Sequence, residues 1–424
     1  MKEYGSRILA KNLFISNDTR VTGLNNNDLI IGPSGCGKTI GYVKPNLLCA
    51  GESVIVADTK GTLLPELGPR MAERGFRVLH LDFTELGESG HGYDPLRYIR
   101  RYQATGAYSE QDVMTVARLL CPAESAREPF WDHAAAMVLA CLTGAVLELY
   151  PPRLQSMGAV VRLFEALCRQ ENGDGDDCFD SLMQKLRRMD PNSFAWHRYC
   201  LFEGTRQAEK TYASILAVLA EKLDVMSFDG AQNLFWNKRQ VDLARLAQEK
   251  TALFLTVSDT DRSMDRLVNL FYTQALQTLC RYADRECPDH RLPVPVRFLL
   301  DDFAAGTVIP DFDNTISVIR SRDIYASVIV QSLSQLEGLY GHAKAATIFN
   351  NCDNCLYLGG QDVDTAHYFS QKLNRPVDAV LDLPLDTAVL FTRGRRPRRV
   401  RKIGPTEWPA LQASAAAQWE NAPA

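Results

Sequence analysis

An excess of charge of one sign is the first thing this sequence lacks. Its 47 lysines and arginines face 51 aspartates and glutamates, a formal net charge of −4 over 424 residues. A chain so balanced attracts no polyanion as a whole, so any contact with nucleic acid must run through a local patch or channel. A cysteine framework is missing too. The 11 cysteines are scattered, and the one close pair, Cys352 and Cys355, has no further ligands at zinc spacing. Reduced, structural thiols in a cytosolic protein are the expectation. No apolar run is long: the longest, Ala134 to Leu147, is too short to span a bilayer and reads as a buried helix stopped by Pro151. Met1 to Asn12 mixes polar and apolar residues without a signal-peptide pattern. No internal repeat or low-complexity tract is visible, and the chain reads as soluble.

What is present is a rhythm of short β-rich runs alternating with helical segments. Asp28–Ile31, Ser53–Ala57 and Phe76–Leu81 come first; Thr251–Val257, Val296–Leu300, Tyr325–Val330, Cys355–Leu358 and Thr387–Phe391 follow later. That alternation predicts an α/β fold with a parallel sheet covered on both faces. Between about Tyr108 and Phe235 strand signals vanish and helical patterns take over, as in Gln111–Leu120, Phe130–Leu149 and Ala208–Met226. The expected organisation is a nucleotide-binding domain over 1–107 and 236–403, interrupted by an all-α domain over 108–235. Residues 404–424, with Pro405, Pro409 and an alanine-rich end, read as a flexible tail.

The chemistry is concentrated in Gly32-Pro33-Ser34-Gly35-Cys36-Gly37-Lys38-Thr39. The glycines let the backbone turn its amides around phosphate oxygens, and a helix starting near Lys38 adds its N-terminal field. Gly32, Ser34, Gly35, Cys36, Gly37, Lys38 and Thr39 are therefore the expected binders of ATP, with Lys38 at the β and γ phosphates and the Thr39 hydroxyl on Mg²⁺. A strand ending in a carboxylate completes such a site. Val296–Leu300 followed by Asp301-Asp302 fits: Asp301 would hold the magnesium shell and Asp302 would orient or deprotonate the attacking water. Gln331, after the next strand, suits a sensor of hydrolysis. Arg320 and Arg322 precede that strand, where an arginine could reach a neighbouring subunit's γ-phosphate or simply sit in solvent.

These segments, in this order, resemble the type IV secretion coupling proteins, the TraG-like conjugal-transfer ATPases. The likeness rests on Asn25–Thr39, Val43-Lys-Pro-Asn46, Asp58-Thr-Lys-Gly61, Pro129-Phe-Trp-Asp132, Leu299-Leu-Asp-Asp-Phe303, Ile319-Arg-Ser-Arg-Asp323 and Gln331-Ser-Leu-Ser-Gln-Leu336. The resemblance implies a RecA-like motor domain with an all-α domain, assembled as a homo-oligomeric, hexameric ring. It implies a place at the inner face of the cell membrane, where a relaxase-bound single DNA strand is accepted and driven through the secretion channel by ATP hydrolysis. It also matches Arg320 to the family's inter-subunit arginine and Gln331 to its sensor glutamine.

Three departures from the family stand out. Asp302 replaces the usual glutamate, so its carboxylate lies one methylene further from the water. Asp58-Thr59-Lys60-Gly61-Thr62 stands where Asp-Pro-Lys-Gly-Glu is usual. The residues before the glycine loop are too few and too polar for the usual membrane anchor, so the chain reads as either an excised cytosolic part or a natural anchorless relative. Two rivals remain: a nucleotide-gated adaptor with little hydrolysis, and a small-molecule kinase, which would need an arginine-bearing lid not evident here. The basic run Arg393–Lys402 suits phosphates of nucleic acid or lipid, or a solvated terminus. Phe130 and Trp131 read as core aromatics rather than base-stacking platforms.

Overall fold

The computed structural model describes residues 4–123, 128–171, 178–301, 303 and 308–407. Two compact units emerge: residues 1–81, 242–262 and 275–424 form one, and 82–241 with 263–274 form the other.

The first unit is built on strands β1 (Ser6–Ala10), β2 (Leu13–Ser16), β3 (Asp28–Ile31), β4 (Ser53–Asp58), β5 (Arg77–Asp82), β6 (Thr251–Thr256), β7 (Val296–Leu300), β8 (Ile324–Val330), β9 (Asn354–Tyr357), β10 (Thr387–Thr392) and β11 (Arg398–Arg401). β1 and β2 form a small antiparallel hairpin, and the other strands form one nine-stranded sheet in the order β11-β10-β9-β3-β8-β7-β4-β6-β5. β9, β3, β8, β7, β4 and β6 pair parallel, while β10 runs antiparallel to β9 and β11. The central strands are near-continuous Val, Ile, Leu and Ala runs because both their faces are buried. Alternate residues Ile30, Val54, Val56, Phe254, Leu299 and Ile329 share one core with Leu47, Leu67 and Met71 of helices Lys44–Cys49 and Leu63–Glu73. All eight strand segments read from the sequence are present, and the fold is α/β with a mostly parallel sheet.

A polar network is buried in this unit among the strand beginnings. Arg7, 1% exposed, donates to Asp28 at 2.7 Å and to Asn26 at 2.8 Å. Arg297, 2% exposed, donates to Glu52 at 2.8 Å and to the Ser327 hydroxyl at 3.2 Å. The Tyr42 hydroxyl also reaches Asp28, at 2.8 Å, and burial drives its pKa far up. Every cation here has a carboxylate, which is the condition for charges to persist out of water.

In the helical unit, helix Phe130–Leu149 is the centre. Fourteen of its residues are buried, so it is apolar all round rather than amphipathic. It is long and apolar enough to cross a membrane, yet helices Glu110–Leu120, Met157–Glu171, Phe194–Glu203 and Glu209–Ser227 pack around it. At its N-terminus Asp132 pairs with Lys222 at 3.3 Å, and both side chains are almost completely buried. Phe130 corrects the expectation of a core aromatic: it is 54% exposed and meets the half-buried Trp131 edge-on. Residues 108–235 lie in this unit, to which 82–107, 236–241 and 263–274 also belong. Tyr93 explains the inclusion of 82–107: it stacks on Tyr98 and meets Phe83 and Phe271 edge-on. Of the expected tail, 404–407 form a turn in which the Gly404 amide donates to Glu407, itself paired with Lys11. Residues 408–424 lie outside the described residues.

Candidate nucleotide site

β3 is fully buried and runs straight into the glycine loop. Two backbone bonds fix the point of departure: Gly32 N–H to the Val330 carbonyl at 3.1 Å, and Leu358 N–H to the Ile31 carbonyl at 2.8 Å. A methyl group on Gly32 would lie 2.5 Å from Cys36 Sγ and 2.9 Å from Leu358 Cβ, so only glycine fits there. Gly35 and Gly37 take φ of +79° and +96°, conformations that β-carbons resist. The loop closes into a π-helical turn, Thr39–Val43, that continues as helix Lys44–Cys49.

Inside this loop Lys38 is 7% exposed, and its ammonium donates to the carbonyls of Gly32 at 2.8 Å and Pro33 at 3.2 Å. The Thr39 hydroxyl donates to Asp301 Oδ2 at 2.7 Å. The two residues expected to serve magnesium, 262 positions apart in sequence, therefore meet. Asp302 lies outside the described residues. A cleft of about 290 Å³ runs beside the loop, walled opposite by 57–63 and carrying Lys38, Lys44 and Lys60. Asp58 stands in this wall but is committed to the backbone, accepting from the amides of Thr62, Leu63 and Leu64 at 3.0, 2.7 and 3.2 Å. Lys44 is paired with Glu66.

Gln331 follows β8, which is flanked by β3 on one side and by β7 on the other, so it leaves the sheet between the glycine loop and Asp301. It is exposed, and its backbone N–H donates to Gln335 Oε1 at 2.9 Å. Arg320 is not brought to this site. It sits in the turn Ile319–Arg322 before β8, whose 7 residues span about 23 Å at roughly 3.3 Å each, at the opposite edge of the sheet. Its side chain is exposed and has no partner among the described residues, whereas Arg322 is engaged by Asp284 at 2.8 and 2.9 Å.

Lys402 was missed as a site residue. Its ammonium donates to the Leu358 carbonyl at 2.7 Å and the Cys36 carbonyl at 3.3 Å, propping the glycine loop from the side. Burial lowers its pKa, and burial likewise raises that of the Cys36 thiol. In the sequence Lys402 is merely the last cation of a basic run, and nothing there marks it. Cys352 and Cys355 are buried with raised thiol pKa values from desolvation, which suits inert packing groups.

The profile described as "Type IV secretory system Conjugative DNA transfer" matches residues 8–375. Protein VirD4 of Agrobacterium fabrum is 23% identical over 354 residues, covering 81% of this chain and 49% of that protein. Protein VirD4 of Rhizobium radiobacter is 24% identical over 365 residues, with coverages of 81% and 47%. The chain thus spans about half the length of the curated relatives it matches. Among solved structures, the unbound monoclinic form of the bacterial conjugative coupling protein TrwBΔN70 aligns with 95% of this chain and 89% of that one, at TM-score 0.67 and 16% identity. Plasmid coupling protein TrwB in complex with ADP and Mg²⁺ aligns at TM-score 0.57 and 16% identity, covering 95% and 94%. VirB4 of Thermoanaerobacter pseudethanolicus covers 90% of both chains at TM-score 0.52 and 16% identity. At such identities the shared property is the fold, RecA-like and P-loop-bearing.

Proposed function

The chain belongs to the type IV secretory system conjugative DNA transfer family, and from that premise we propose that it carries the ATPase of a coupling protein. Hydrolysis would drive a relaxase-bound single DNA strand into the secretion channel. One observation carries the reading: the Thr39 hydroxyl on the Asp301 carboxylate at 2.7 Å, beside the lysine of the glycine loop. A hydroxyl and a carboxylate are hard oxygen donors that fit Mg²⁺, which favours one or two protein groups plus phosphate oxygens over an all-protein cage. Magnesium bound there would offset the charge that develops on the phosphates.

The chain's own residues supply the rest. Lys38 binds the β and γ phosphates; Asp302 orients the attacking water; Gln331, between the two halves of the site, senses the γ-phosphate. Arg320, distant from its own site, acts on a neighbour's, which requires a ring; we assign a hexamer. Such a ring works at the inner face of the membrane, through an anchor outside the matched region or on a separate subunit. An ATPase assay at high protein concentration, with and without single-stranded DNA, tests the reading. A negligible rate in an assembled ring would favour the nucleotide-gated adaptor instead.

Lys38→Ala should weaken ATP binding by roughly 10–150-fold, the loss of a charge-assisted contact worth about 1.5–3 kcal/mol. Calorimetry showing unchanged affinity in a folded variant would refute the assignment. Arg320→Ala should abolish most hydrolysis while binding ATP normally. Mixed with Lys38→Ala, which retains Arg320, it should recover activity at the shared interfaces. Activity of the mixture no greater than the sum of its parts would rule out action across subunits.

A further inference from the structure

We propose that a basic cleft in the helical unit, bounded by the turns Pro95–Tyr98 and Pro152–Leu154 and by residues 235–238, binds an acidic peptide segment of a partner protein. The cleft, about 530 Å³, is lined by Arg97, Arg101, Arg153 and Lys238. All four are exposed. The Arg101 Nε donates to the Gly106 carbonyl at 2.7 Å and its guanidinium lies 5.5 Å from the Tyr108 ring centre, so this cation is held in place. The side chains of Arg97, Arg153 and Lys238 have neither an ion pair nor a hydrogen bond among the described residues. Nearby Arg100 shows the contrast, since Asp112 takes it in a fork at 2.8 Å.

The one acid lining the cleft offsets it only in part, acting on Arg97. Asp94 is fully buried and accepts from the amides of Leu96 at 2.9 Å and Met157 at 3.2 Å. Burial pushes its pKa up to about 7. Four cations thus face a single buried acid in the lining, in a chain whose net charge is −4. Such a cluster sets up a local positive potential that attracts anions.

The form of the cleft selects the anion. Compact phosphate is held by free backbone amides at a helix start or glycine turn. Here two amides at the start of helix Met157–Glu171 are already used, Met157 N–H by Asp94 and Ala159 N–H by Ser156 Oγ at 3.1 Å. The cations instead come from separate elements around an apolar floor of Leu96, Ile99 and Phe235. Spaced carboxylates alternating with apolar side chains match that pattern, and the volume suits a short peptide segment.

The test uses the full chain and a fluorescein-labelled, capped octapeptide of alternating glutamate and leucine, read by anisotropy. A control peptide carries glutamine in place of glutamate. The acidic peptide should bind about tenfold or more tightly than the control, and its binding should weaken with salt. Arg97→Gln combined with Arg153→Gln should weaken it about tenfold while leaving ATP affinity unchanged. If circular dichroism shows that variant misfolded, Lys238→Gln replaces it with several-fold weakening expected. Equal binding of the two peptides, or unaltered binding in the folded variants, overturns the proposal. So does displacement of the peptide by a lower concentration of oligothymidylate of equal charge, which would make the cleft a nucleic-acid site.

Discussion

Asp302→Asn is expected to slow ATP hydrolysis roughly 10²–10⁴-fold and to leave ATP affinity unchanged, the usual cost of losing a general base. Its neighbour Asp301 accepts from the Thr39 hydroxyl, and the proposed mechanism assigns the attacking water to the next carboxylate along. Ground-state contacts are assigned to other groups, Lys38 and the glycine loop for the phosphates, Thr39 and Asp301 for the metal. A group acting mainly in the transition state lowers kcat without raising KM. Single-turnover hydrolysis in the assembled ring is the measurement, and a parental rate in Asp302→Asn would eliminate the role. Asp302→Glu, which restores the family's usual reach, should hydrolyse at least as fast as the parent.

Asp28→Ala should destabilise the nucleotide-binding unit by about 3–5 kcal/mol, a large share of the roughly 5–15 kcal/mol that holds a typical domain. Its carboxylate accepts from Arg7 at 2.7 Å, Tyr42 at 2.8 Å and Asn354 at 3.1 Å, with Arg297 a further 3.7 Å away. Without it Arg7 keeps only the neutral oxygens of Asn17, Asn26 and Asn25, and Arg297 keeps Glu52. The cost is that of stranding a charge rather than of losing a contact. Urea unfolding followed by circular dichroism would measure it; a loss below about 1 kcal/mol, the level of an exposed pair, would contradict the buried network. The protein that stays folded should still bind ATP, because Asp28 stands at the far end of β3 from the glycine loop.

Most of the sheet was legible because its strands are buried on both faces and read as unbroken aliphatic runs. β11 was not: Arg398–Arg401 is an exposed edge strand of arginines, with no alternation of burial to betray it. The β1–β2 hairpin was too short to announce itself, and the buried use of Arg7 depends on partners at Asn17, Asn26 and Asp28 that only folding assembles. The glycine loop and Asp301 were legible since their chemistry demands residue types at set places along strand and turn. Motif order singled out Arg320 but could not say at which edge of the sheet it stands; strand direction decides that. Lys402 and the cationic cleft escaped because they are coincidences of space, made from residues unremarkable in sequence.

The sheet order also dictates a timetable for biosynthesis. β3 makes its ladders only with β8 and β9, pairing Leu29 with Val328 and with Cys355. At a ribosome's pace of about 5–20 residues per second, β3 emerges roughly 15–60 s before its first partner. Throughout that interval Leu29, Ile30 and Ile31 are an unpaired apolar strand beside an unformed phosphate loop. The nucleotide pocket therefore cannot template its own folding from the N-terminus, and ATP cannot act as an early ligand that rescues a nascent chain.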